Sequence, residues 1–182
     1  MSAFSQQIDL LRTIALSPSM SLLVTRSVEQ MPNTRGITLQ SSIGANSVSF
    51  HSIHETYTVA LKAGNVQVKL EQAQFQTIEG AEDSVTPRFA VYDAVLDGNT
   101  LRYFFVNNSR ILLATARVDG AGAVSGYQQK ALPEKFARID TARFVKGKDG
   151  RVTLKVREPG KKTRDFQFDG AGEAVNVPEG GQ

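Results

Sequence analysis

The sequence predicts a mainly β protein: an antiparallel sandwich or partly closed barrel of about ten short strands, preceded by one or two N-terminal helices. Three observations predict it. From Gly36 onward, runs rich in Val, Ile, Thr, Tyr and Phe alternate with turn residues at intervals of roughly 8 to 15 residues. No helical periodicity separates the later runs, which disfavours βαβ units. Before Gly36, by contrast, apolar residues recur at helical spacing.

The first helix is expected within Ser2 to Ala15, where Phe4, Ile8, Leu11 and Ala15 fall on one stripe and Leu10 and Ile14 widen it. Ser17-Pro18 stops it, because the residue before proline avoids the α region. Met20, Leu23, Val24, Val28 and Met31 continue at helical spacing, although Leu22, Val24 and Thr25 also suit a strand. Helix is the favoured reading for this second segment, and Met31-Pro32-Asn33 closes it. Residues 1–35 thus read as a helical arm. Phe4, Ile8 and Leu11 form its dry side and are the interface candidates.

The β domain is expected over residues 36–169. Ile37–Ser42 and Ser47–Ile53 are separated by Gly44-Ala45-Asn46. Thr56–Lys62 and Val66–Leu70 flank Ala63-Gly64-Asn65, which reads as a three-residue hairpin loop. A polar loop from Glu79 to Thr86 follows. Phe89–Leu96 and Thr100–Val106 are joined through Asp97-Gly98, a type I′ turn signal. Asn107-Asn108 leads into Arg110–Val118, and Asp119 to Gly122 leads into Val124–Gln129. Phe136–Lys146, Arg151–Arg157 and Thr163–Phe168 complete the set. Tyr103-Phe104-Phe105 places aromatics on both faces of one strand, the mark of a sheet covered on both sides. One face fills the core, and the other is expected under the N-terminal helix or a second subunit. Residues 170–182 read as an acidic Gly/Pro-rich tail.

The net charge of +3 conceals a segregation. Residues 135–165 hold 11 of the 21 Lys and Arg against 4 acids, while residues 166–182 hold 3 acids and no base. Phe136, Phe144 and Phe166 are interleaved with these cations, as in a phosphate-contacting ribbon. Arg143, Lys146, Arg151, Lys155 and Arg157 are its candidate backbone contacts, with Lys161 and Lys162 at a hairpin tip. The simpler reading is a solvated strand face that guards an edge: Arg151, Lys155 and Arg157 share one parity, and Val152, Leu154 and Val156 the other.

Catalytic chemistry finds little support. Without Cys there is no disulfide, thiolate ligand or cysteine nucleophile. The two histidines, His51 and His54, fall on opposite faces of a strand, so neither a metal site nor a cofactor is expected. There is no Gly-x-Ser-x-Gly elbow, and Gly120 to Gly126 lacks the Lys-Ser/Thr end of a phosphate loop. No carboxylate dyad stands out. No window approaches 18 uninterrupted apolar residues, so no spanning helix is expected, and the start lacks a basic signal region.

These readings favour a non-enzymatic structural subunit of a larger assembly, such as a virus or phage particle or a comparable machine. Its partners would be other copies of itself or other subunits, in the cytoplasm or in a particle assembled there. A nucleic-acid-binding β module using residues 135–164 is the second reading, and a small-ligand barrel the third. Solution size separates the first from the others, and a salt-sensitive gel shift identifies the second.

Overall fold

A computed structural model describes the backbone of residues 6–32, 37–41, 44–48, 51–78 and 87–177, with side chains placed over 7–31, 52–77 and 87–177. Fourteen strands and no helix are found among the described residues. Twelve of the strands form three antiparallel four-stranded sheets.

The first sheet runs β1-β2-β5-β6, from β1 (Gln6–Ser17), β2 (Met20–Pro32), β5 (His51–Ala63) and β6 (Val66–Ile78). A small hairpin of β3 (Ile37–Ser41) and β4 (Gly44–Val48) lies between β2 and β5 in the chain. The second sheet is a meander of β7 (Phe89–Asp97), β8 (Thr100–Asn107), β9 (Arg110–Val118) and β10 (Val124–Ala131). The third is another meander: β11 (Thr141–Lys146), β12 (Val152–Arg157), β13 (Arg164–Phe168) and β14 (Ala174–Asn176).

The expected N-terminal helices are therefore corrected to strands. β1 and β2 form a hairpin with Ser17 opposite Met20, so Ser17-Pro18 marks a turn between strands instead of a helix stop. The apparent helical stripe has a definite cause. Leu11 is an extra residue in β1, bulged between the Leu10–Thr25 and Arg12–Val24 pairs. The bulge resets the side-chain alternation, so Ile14 and Leu16 reach the core while Ile8 and Leu10 stay exposed. A strand with a mid-strand bulge thus imitates a 3.6-residue period. β2 is held by thirteen consecutive pairs with β5, from Met20–Ala63 to Pro32–His51.

Other expectations are refined. The strand expected over Ser47–Ile53 divides between β4 and β5, and Phe136–Lys146 contracts to β11. The loop between β5 and β6 has two residues, with Ala63 opposite Val66. In the β7–β8 loop only Gly98 is left-handed (φ +59°), which fits a type II′ turn. In the β8–β9 loop Asn108 and Ser109 are both left-handed, the type I′ pattern. Part of the expected tail is ordered as β14, paired with β13 through Phe166–Asn176, Gln167–Val175 and Phe168–Ala174. The expected Glu79–Thr86 loop and the end of the tail lie outside the described residues.

The second sheet is the middle layer of three, and β8 is its centre: Leu101 to Val106 are all buried. Leu101, Tyr103 and Phe105 pack toward Leu22, Val24, Val59 and Leu61 of the first sheet. Phe104, on the opposite parity, packs with Leu113 toward Leu154, Val156 and Phe166 of the third sheet. The cover expected from a helix or second subunit thus comes from two sheets of the same chain. Every strand on either side meets its neighbour in sequence, apart from the β2–β5 crossing over the small hairpin.

Candidate functional site

The stacking of layers brings strand edges close to foreign side chains, and two of them are capped. On β7, the bulge at Tyr92 breaks the ladder between the Val91–Phe105 and Asp93–Phe104 pairs. Arg12 of β1 donates from Nη1 to the carbonyls of Val91, at 2.7 Å, and Tyr92. The Asp93 carboxylate accepts from the Phe144 amide of edge strand β11 at 2.7 Å and from Ala94 N at 2.9 Å. Charged side chains here satisfy backbone groups that would otherwise invite a further strand.

Other edges carry different protection. β6 has Lys69 and Glu71 with a break in register after Val59 of its partner, β10 has Lys130 and a break between Ser125 and Gln128, and β14 is three residues long. The outer edge of β1 pairs with no described strand, and its regular stretch Gln6–Leu10 carries a single charge, Asp9. Ile8 is 67% exposed, Leu10 61% and Leu11 49%. Ile8 and Leu10 stand on one face, opposite Ser27 and Thr25, so they form an apolar pair beside an open edge. Of the three interface candidates, Ile8 and Leu11 are exposed and Phe4 lies outside the described residues. Leu10, missed as a candidate, is their neighbour; the assumption of a helix hid it.

Four of the ribbon's eleven cations are closely paired with acids, and two more stand near one. Lys155 pairs with Asp165 at 2.5 Å, Arg157 with Asp140 at 2.7 Å and Lys161 with Glu158 at 2.8 Å. Lys146 stands 3.7 Å from Asp97 and Arg151 3.7 Å from Asp149, and Arg164 pairs with Glu134. Arg143 is exposed opposite Lys155, and Lys162 is exposed beyond β12; neither has an ion pair among the described residues. Phe166 is fully buried, and Phe144 packs against the second core, so neither is free to stack on a base. Four of the partner acids, Asp140, Asp149, Glu158 and Asp165, are those within residues 135–165; Glu134 precedes the segment, and only Asp97 comes from another sheet.

The first and second sheets share a polar chain that runs from buried Tyr103 through half-buried Tyr127 and Glu71 to exposed Gln129. The Tyr103 and Tyr127 hydroxyls lie 2.5 Å apart, Tyr127 donates to Glu71 Oε2 at 3.1 Å, and Gln129 donates to the same carboxylate. Burial pushes the Tyr127 phenol up to about 12 and raises Tyr103 further. Phenols held neutral in this way act as hydrogen-bond donors that lock two layers together. His51 and His54 both fall in β5, and no group of three His, Asp or Glu able to hold a metal occurs among the described residues. No described helix is long and apolar enough to cross a membrane.

Comparison with known proteins adds no relative: no family model, curated protein or solved structure matches the chain.

Proposed function

We propose that the protein is a non-catalytic structural subunit that assembles with a second copy of itself through the outer edge of β1. The observation that carries this reading is the contrast between edges. β7 and β11 are capped by Arg12 and Asp93, whereas β1 combines an outer edge that pairs with no described strand with exposed Ile8 and Leu10. Antiparallel addition about a twofold axis joins the first sheets of two copies into eight strands, with backbone hydrogen bonds supplying affinity. The same patch serves both copies, so no other partner is needed to cover it. A particle or comparable machine is the setting in which such subunits work.

Light scattering and sedimentation of the full chain test this. Wild type is expected as a dimer or larger species, and Ile8→Lys with Leu10→Lys as a folded monomer. A wild type that stays strictly monomeric at high concentration overturns the proposal, as does an assembly the double variant leaves intact.

A further inference from the structure

The third sheet covers only part of the face that the second sheet turns toward it. Phe104 and Leu113 are covered, but the same face continues past them along β8, β9 and β10. Register builds its floor. Arg102 lies opposite Thr115, which lies opposite Gln128, and Thr100 lies opposite Arg117. Gly126, left-handed at φ +61°, sits in the irregular stretch of β10 between Ser125 and Gln128. The turn from Asp169 to Ala174, between β13 and β14, forms the wall. The result is an open cleft of about 610 Å³, the size of a small-molecule site.

The acids of this cleft are already engaged. Asp169 Oδ1 accepts from the Ala171 and Glu173 amides of its own turn, at 2.9 and 2.8 Å. Glu173 pairs with Lys130. Lys130 is thereby matched, but Arg117 and Arg102 are not matched in the same way. Arg117 is exposed and has no ion pair among the described residues. Arg102 is 8% exposed, with its guanidinium 4.3 Å from the centre of the Phe168 ring. Its Nη1 is 3.7 Å from Asp97, too far for a hydrogen bond, and both Nε and Nη1 are buried without an acceptor. Nη2, the remaining nitrogen, points to the wall: it is the nearest heavy atom, at 4.0 Å, to where a Cβ on Gly172 would stand. Nε and Nη1 are sealed from the cleft, so Nη2 is the nitrogen left to meet an acceptor there.

We propose that this cleft binds a small molecule through a phosphate group, held between Arg102 and Arg117. The phosphate is chosen for the number of donors: two guanidiniums, the Thr100 and Thr115 hydroxyls and the Gln128 amide surround one space. A tetrahedral dianion can accept from several of them at once. Arg102 is preset by the Phe168 ring and the bordering Asp97, so little side-chain entropy is lost on binding. No residue of β1 lines this site, and it stands or falls independently of the β1 edge.

Thermal unfolding with inorganic phosphate and with phenyl phosphate, against sodium chloride at equal ionic strength, tests the site. At ten times Kd a specific ligand raises Tm by about 3–5 °C for a chain of this size. Arg117→Gln, on the surface, is expected to keep the fold and weaken binding about tenfold; Arg102→Met is expected to abolish it. Amide NMR shifts should centre on Thr115, Arg117, Gln128 and Gly172. A stronger response to phenyl phosphate assigns a phosphate monoester, and a stronger response to inorganic phosphate assigns the free ion. No stabilisation beyond that of sodium chloride overturns the site, as does Arg117→Gln binding as tightly as wild type. If Arg102→Met does not fold, Arg117→Gln alone decides.

Discussion

The tyrosine pair Tyr103–Tyr127 shows how one residue's chemistry reports on layer packing. All four tyrosines of the chain, Tyr57, Tyr92, Tyr103 and Tyr127, have phenol pKa values raised above 10, chiefly by burial. In the unfolded chain each ionises near pH 10. Because the folded values are higher, the folded state keeps protons that the unfolded state loses, and stability falls as pH rises above 10. We expect less phenolate absorbance at 295 nm at pH 10.5 in the folded protein than in the unfolded chain, with the Tyr103 and Tyr127 share appearing only as the β circular dichroism signal is lost. Normal titration of Tyr103 and Tyr127 near pH 10 in a folded chain would contradict the hydrogen-bonded network. The origin of these shifts was not legible in the sequence. Glu71 and Tyr127 are 56 residues apart, and only sheet packing brings them within 3.1 Å.

Among elements, β7 and β11 show how side chains close a sheet edge. Asp93 serves two backbone amides, one within β7 and one across to β11. Asp93→Ala leaves both without that acceptor and is expected to cost about 1–3 kcal/mol, measured by urea unfolding. It is also expected to raise aggregation, because the β11 edge loses its cap. An unchanged urea midpoint would show that water replaces the carboxylate without loss. The hairpins were more legible than the edges. Gly98 and Asn108 stand at left-handed positions that few other residues adopt at low cost, so turn chemistry alone located β7, β8 and β9. β1 was misread for the opposite reason. Its bulge at Leu11 is a tertiary feature, and its local signature resembles a helix.

For the whole molecule, the shared middle sheet couples the two cores. Phe104 and Phe105 are adjacent in β8 and fully buried on opposite sides. Phe104→Ala is expected to cost about 3–5 kcal/mol. Because β8 belongs to both cores, calorimetry of this variant should still show one transition, with the first and third sheets melting together. Two separated transitions would mean that the sheets fold as independent units. The sequence by itself determined the antiparallel β character, the faces of the central and C-terminal strands, most hairpin positions and the concentration of cations in residues 135–165. These follow from alternation, turn residues and charge, which are local properties of the chain. Only the tertiary structure decided that the N-terminal segment is two strands, that β8 is covered from both sides by the same chain, and which ribbon cations meet acids. It also decided that Arg102 sits at the head of a cleft. Each depends on which distant segments become neighbours, as Met20 and Ala63 do across β2 and β5, and pairing over such separations leaves no local periodic trace.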